Sequence, residues 1–441
     1  MRHAAEYTRK TPASAEMFAE SARLHVNGVS HNVRYFDPYP FVVRSSAGST
    51  MTDVDGNSYT DYWMGHWSLI LGHGPAPVAE ALHDQLDKGW MYGTVNEQTV
   101  ALSKMISDAV PAAEKIRYTA SGTEATMYAT RLARSHTGRS TIAKVDGGWH
   151  GYASDLLKSV NWPFEGRESS GLVGDEKIVS VPYNDLDSAT RILSECRDDL
   201  AGIVIEPLLG GGGCIPASAE YLAGMQEFAH RNGSLLILDE IVTGFRFRYG
   251  CLYETIRLEP DLITLGKIIG GGLPTGAICG ADEIMRHADA SRKPGGGIDH
   301  NHSYIGGGTF SANPASMTAG SSTLGHLKDN APTYDRINGM GRRARSGLAE
   351  ALGGAAVITG AGSMFMAHFT GGTEIEEITG ARHAALCDQE MLHRYHFKMI
   401  AQDGIFILPG KLGAISSAHT DRDIEGLVAA SEEFSRDARQ A

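Results

Sequence analysis

Four short stretches place reactive or ligand-binding side chains directly after apolar runs. AGIVIEP reaches Glu206, SLLILDE reaches Asp239, DLITLGK reaches Lys267, and KIRYTA leads into Ser121, Gly122 and Thr123. The runs have strand length, and ligands of an open α/β sheet bind beyond the carboxyl ends of its strands. These positions are therefore expected along one edge. A carboxylate closing so apolar a run as LLIL needs a partner to remain ionised; a protonated ring nitrogen is one, and a helix cap or an ion pair is another. Lys267 is flanked by Leu265, Gly266, Ile268 and Ile269. A lone lysine is usually solvated, but one partly withdrawn from water has a lowered pKa and can form a Schiff base with an aldehyde. SGTEATMYATRLAR, from Ser121 to Arg134, runs from a small polar turn straight into a helical window. The N–H groups and dipole at such a helix start favour a phosphate, although capping by Ser121 or Thr123 uses the same residues.

The usual nucleotide loops, G-x-x-x-x-G-K-[ST] and G-x-G-x-x-G, do not occur in the chain, which turns the reading away from ATP and NAD. A phosphate cradle, a carboxylate for a ring nitrogen and a desolvated lysine for an aldehyde together describe pyridoxal 5'-phosphate. Glu206 is expected to orient neighbours near the ring, with a buried structural carboxylate as the alternative.

These residues need a scaffold. Between about Glu114 and Gly280, apolar runs (KIRYTA, STIAKV, KIVSVP, AGIVIEP, SLLILDE, DLITLGK, TGAICG) alternate with helical windows, the pattern of an α/β fold with a mostly parallel sheet covered on both faces. Before it, Pro12 to Val26 reads as an amphipathic helix with Phe18, Ala22 and Leu24 apolar and Ser14 as its cap. MTDVDGNSYTDYW reads as a hairpin turning at Asp55-Gly56. After it, Ser291 to Pro314 is rich in Gly, Pro and His and reads as a functional loop, and the strand candidates AVITG, FMAHFT and GIFILP indicate a C-terminal α+β segment. The expected division is an N-terminal segment (1–60), a large domain (61–320) and a C-terminal small domain (321–441), the first packing with the third.

The composition constrains partners and setting. With 441 residues, 42% hydrophobic and 21% charged, the chain is long enough for two lobes. A formal charge of −13 speaks against a general nucleic-acid or anionic-membrane binder. Cys196, Cys214, Cys251, Cys279 and Cys387 form no CxxC pair, so neither a disulfide framework nor a metal site is expected, and a cytoplasmic setting fits. The first residues lack the apolar core of a signal peptide, and no apolar stretch has membrane-spanning length.

Taken together, SGTEA, GGWHGY, EP before a glycine run, LDEIVTGFR, TLGKIIGGGLPTGA and GGTFSANP resemble the class III (subgroup II) aminotransferases of fold type I, in family order from about Val26 to Ile424. Within that family the chain is most similar to glutamate-1-semialdehyde aminomutases and to aminotransferases of β-amino acids such as β-phenylalanine. The resemblance implies that Lys267 binds the cofactor's aldehyde and carries the proton between substrate and cofactor. It implies that Asp239 keeps the ring nitrogen protonated and that Gly122 and Thr123, with Ser121, hold the phosphate. Trp149 stands where the family has Tyr or Phe stacked on the ring, and His150 would support the cofactor-binding carboxylate. Thr309 matches the residue that reaches the phosphate of a neighbouring subunit, which implies a homodimer. Arg34, in VSHNVRYF, matches a carboxylate-binding arginine of the aminomutase branch, and a surface arginine is the alternative. Lys411 lies where aminomutases have a Glu and β-amino-acid aminotransferases have an Arg close by. His31 and Asn32 replace the mutase's Ser-Pro.

The function expected from these residues is a pyridoxal-phosphate-dependent aminotransferase, with pyridoxamine 5'-phosphate as the amino-loaded form. It would move an amino group from a β-amino acid or other carboxylated amine to a keto acid. The runner-up is intramolecular amino transfer from glutamate-1-semialdehyde to 5-aminolevulinate. A non-catalytic cofactor-binding protein would not need Lys267 and Asp239 together, and a racemase on the same fold would differ by keeping its amino group.

Overall fold

A computed structural model describes residues 2–164, 177–289, 306–371 and 375–440. It divides into two compact units, one of Ala76–Tyr334 with Ile378–Ala385, the other of Met1–Pro75, Asp335–Glu377 and Leu386–Ala441.

The larger unit is built on seven strands: β1 (Lys115–Thr119), β2 (Thr141–Val145), β3 (Ile178–Val181), β4 (Leu200–Ile205), β5 (Leu235–Asp239), β6 (Leu262–Gly266) and β7 (Gly276–Gly280), in the order β1-β7-β6-β5-β4-β2-β3. The contiguous pairs β6-β5-β4-β2-β3 are parallel. Strand β7 runs antiparallel to both neighbours, because the stretch from Lys267 to Thr275 is too short for the crossover that a parallel return needs. Every residue of β2, β4, β5, β6 and β7 is buried, which is why these strands read as largely apolar runs instead of alternating ones. Helix α1 (Gly122–Thr137) covers one face, packing Ala125, Ala129, Leu132 and Ala133 with Ile142, Val204, Ile237, Leu262 and Ile278. Gly202 of β4 lets it approach, since a Cβ there would lie 3.3 Å from the Ala133 methyl.

In the smaller unit, Thr50–Asp53 and Ser58–Asp61 form the hairpin turning at Asp55-Gly56, with Gly56 at φ +90°. Val43–Ala47 and Ile405–Phe406 extend it to four strands, and Ala356–Thr359, Met364–Phe369 and Gly413–Ala414 make a second sheet. The amphipathic reading of the N-terminus needs correction. A helix of Arg2–Lys10 precedes that of Pro12–Leu24, whose N-cap is Thr11. Ser14 is buried inside the second helix and bonds the hairpin, its N–H and Oγ donating to Asp55 Oδ2 at 2.9 and 2.6 Å. Ala22 and Leu24 are exposed. No described helix is long and apolar enough to cross a membrane.

Candidate active site

Strands β5 and β6 are parallel neighbours with Asp239 in register with Thr264, and this pairing sets the carboxylate. Asp239 Oδ1 accepts from Thr264 Oγ1 at 3.0 Å and from the Ile241 N–H at 3.1 Å. Oδ2 lies 2.7 Å from His150 Nδ1. A carboxylate only accepts, so the imidazole carries its hydrogen on Nδ1. The pair is almost wholly buried, and His150 Nε2 has no hydrogen-bond partner among the described residues.

One strand over, β6 ends at Gly266 and Lys267 follows with φ +47°. A left-handed backbone is uncommon for a residue with a side chain and marks a position that the surroundings over-determine; here Ile268 and Ile269 are packed behind it. Burial pushes the Lys267 ammonium down to about 8, against the charges of Asp239 and Glu206, while Arg246 lowers it further. A substantial fraction of this amine is therefore neutral and nucleophilic near pH 8.

Ser121 caps α1, its Oγ accepting from the Glu124 N–H at 3.3 Å, and Glu124 reaches back to the Ala120 N–H at 2.7 Å. The side chain of Ser121 thus does serve the cap, as the simpler reading of the sequence had it, while the first-turn N–H groups point out of the helix start. Glycine at 122 fits a close approach: a Cβ would sit 2.9 Å from Ile241 Cδ1. Thr123 Oγ1 accepts from the Tyr152 N–H at 3.4 Å. Gly276 of β7 supports the turn from beneath, where an added Cβ would meet the Ser121 carbonyl oxygen at 2.4 Å and Thr119 Oγ1 at 2.6 Å. Gly276→Ala is accordingly expected to cost about 1–3 kcal/mol. Thermal denaturation checks the cost, and weaker phosphate or cofactor binding checks the displacement of the Ser121 turn.

The loop after β2 carries Trp149 and His150. Glu206, just beyond β4, accepts from the Trp149 N–H at 2.9 Å and from the Gly210 N–H at 3.0 Å. Burial raises this carboxyl, with His150 opposing and the charge of Asp239 reinforcing the rise. Thr126 of α1 donates to the His150 carbonyl at 2.6 Å, and the Trp149 ring meets Tyr152 edge to face at 5.0 Å. Ser121, Gly122, Thr123, Trp149, His150, Glu206, Asp239 and Lys267 thus all belong to the larger unit. Thr264, Thr126 and the Ile241 N–H were not singled out from the sequence. Thr264 had a usable signal, since it lies in the apolar run beside Asp239; the other two had none.

Thr309 is exposed in a turn of the same unit, and a Cβ on the preceding Gly308 would lie 3.4 Å from Glu124 Oε1 of α1. Most of the glycine-rich loop anticipated from Ser291 lies outside the described residues. Arg34 and Lys411 belong to the smaller unit. Arg34 is exposed, with Nη1 3.5 Å from Ser30 Oγ. Burial lowers the Lys411 ammonium. His31 is held down by burial and then by the charges of Arg34 and Lys411, its ring 5.8 Å from that of His66. His66 stacks on Trp63 at 4.5 Å and sits in a left-handed run, Met64, Gly65, His66 and Trp67, with φ of 46°, 57°, 64° and 66°. Asp61 steadies this run by accepting from the N–H groups of Trp63 and Met64 at 2.7 and 3.1 Å. Sequence reasoning noted His31 only as a departure and missed His66. Among the described residues no three His, Cys, Asp or Glu side chains are grouped to hold a metal.

Residues 32–409 match the class-III aminotransferase family. A glutamate-1-semialdehyde 2,1-aminomutase from Methanothermobacter thermautotrophicus is 37% identical over 95% of this chain and 98% of its own length. Among solved structures, an omega-transaminase from Sphaerobacter thermophilus superposes with a TM-score of 0.88 at 31% identity, covering 97% of this chain and 98% of its own. A β-phenylalanine aminotransferase from Variovorax paradoxus gives 0.89 at 28%, covering 100% and 97%.

Proposed function

Because the chain belongs to the class-III aminotransferases, we propose that it moves an amino group to or from a carboxylate-bearing substrate with pyridoxal 5'-phosphate as carrier. The observation that carries this is the pairing of β5 with β6, which sets a buried carboxylate and a lysine lowered to about 8 on adjacent strand ends. The donor set fits the cofactor: an acceptor for a ring N–H at Asp239, an amine for the aldehyde at Lys267, and a helix start for the phosphate at Gly122 and Thr123. Bound there, the cofactor supplies an electron sink for carbanionic charge at the substrate carbon. Asp239, fixed by His150, would accept from the protonated ring nitrogen. Trp149 would lie against the ring, and Nζ of Lys267 would accept and return the substrate proton. A partner subunit's Thr309 completing the phosphate site, in a homodimer, is part of the same proposal, as is a carboxylate contact from Arg34.

The destination of the amino group separates two finer readings. The aminomutase relative is 37% identical, against 31% and 28% for the two transaminases. That backs intramolecular transfer, glutamate-1-semialdehyde to 5-aminolevulinate, better than the external transfer expected first. External transfer keeps one specific observation, the partly desolvated cation of Lys411, whose charge acts on His31, in a segment where resemblance to a mutase calls for a carboxylate. The cofactor's absorption band decides between them. For a mutase, glutamate-1-semialdehyde alone gives sustained 5-aminolevulinate. For a transaminase, a β-amino acid or amine bleaches the band and a keto acid restores it. No response to either class of compound sinks the amino-transfer reading.

A further inference from the structure

Lys144, on β2 beside the edge strand β3, has a wholly buried side chain. Its Nζ donates to three main-chain carbonyls: Gly148 at 2.9 Å, Leu156 at 2.9 Å and Lys158 at 2.6 Å. Three acceptors match the three N–H groups of an ammonium, and none of the acceptors is charged. The acceptors lie at the two ends of a single excursion, the loop that leaves β2 and carries Trp149 and His150. The Gly147 N–H donates to the Ser159 carbonyl at 2.8 Å and closes the same loop. The tie at Gly148 directly precedes Trp149, whose own N–H is held by Glu206. Burying an ammonium is costly unless its donors are used. A hydrophobic residue would fill this volume at less expense, and would leave three carbonyls unsatisfied.

We propose that Lys144 is a positioning residue for the cofactor site: through Gly148, Leu156 and Lys158 it clamps the 146–159 loop, so that Trp149 stands over the ring and His150 over Asp239. The role rests on the proposed pyridoxal-phosphate reading, but the clamp itself is present without the cofactor. It carries a pH dependence. Burial lowers the Lys144 ammonium to about 7, opposed by the charges of Glu206, Asp146 and Asp155. Asp155 is itself paired with Arg134 at 2.9 Å, and Asp146 accepts from Ser180 and faces Arg382. A neutral amine has two N–H groups for three carbonyls, so the clamp loosens as pH rises through this value.

Two measurements test this. Hydrogen exchange of residues 146–159 in the cofactor-free protein is expected to quicken in Lys144→Met. Lys144→Arg, with donors that stay charged, is expected to restore part of the protection. Pyridoxal 5'-phosphate is expected to bind Lys144→Met about tenfold or more weakly, as for loss of a ligand-orienting partner. To remove the titration of the cofactor lysine, the pH series is run in Lys267→Ala. There cofactor affinity is expected to fall between about pH 6 and about pH 9, and the fall is expected to flatten when Lys144→Arg is added. Unchanged exchange and affinity in Lys144→Met overturn the proposal. Should Lys144→Met fail to fold, a flat pH series in Lys267→Ala overturns it by itself. If the wild-type protein binds no pyridoxal 5'-phosphate, the function reading fails, whereas the clamp is still judged by the exchange.

Discussion

Turnover of Lys267→Ala is expected to be at least about 10⁴-fold below that of the wild type, since in the proposed function one side chain would supply both the covalent anchor and the acid–base group. Single-turnover kinetics with an amino donor check the size of the loss, and activity within tenfold of wild type excludes Lys267 from the chemistry. The retained fold is verifiable, because the left-handed backbone at 267 and the packing of Ile268 and Ile269 do not need the ammonium. A pH effect accompanies this. The capture of cofactor by the apoenzyme requires the neutral amine, and the ammonium is lowered from its ordinary value to about 8. The capture rate is therefore expected to rise about tenfold per pH unit below about 8 and to level off above it. A rate that still climbs steeply beyond pH 9 would mean that the amine is not desolvated in solution.

Asp239→Asn is expected to lower turnover by about 10²–10³-fold, the range found when one preorganised electrostatic partner is removed. Asparagine keeps the size; with its oxygen toward Thr264 and the Ile241 N–H its amide donates to His150 Nδ1 once the imidazole hydrogen moves to Nε2, so stability should change far less than activity. The electrostatics make a second, independent demand. The Asp239 charge raises the Lys267 pKa against the desolvation that lowers it. Neutralising it should move the midpoint of the capture profile below about 8. A midpoint that stays or rises means that the two strand ends are not electrically coupled. A variant with unimpaired turnover removes Asp239 from any contact with the ring nitrogen.

The large sheet was legible because strands buried on both faces, as five of its seven are, write themselves as largely apolar runs, and the seven runs from KIRYTA to TGAICG are seven strands. Chemistry-bearing side chains at their ends were legible for the same reason: Glu206, Asp239 and Lys267 interrupt apolar sequence where a sheet edge must be. Local ambiguity remained where one residue type serves two ends, as with Ser121, whose hydroxyl caps α1. The illegible part was made of main-chain acceptors. Nothing in the letters Lys144 or Thr126 tells that they bind carbonyls of the Trp149 loop, because a main-chain carbonyl is the same group whatever residue carries it. Ala22 and Leu24 misled for the opposite reason: helical spacing of apolar residues does not say which helix face finds a neighbour, and these two remain exposed.

The antiparallel return of β7 has a consequence for how the protein fails. Lys267 begins the short turn between β6 and β7, which lie side by side with β5 and β1 on their outer edges. Strands so flanked are expected to open only when most of the sheet does, so the local unfolding free energy at the β6 end should approach that of the whole unit. The lysine is thus expected to exchange with the interior of the sheet, not as part of a peripheral flap, and its strand end is expected to stay beside that of Asp239 until the unit itself melts.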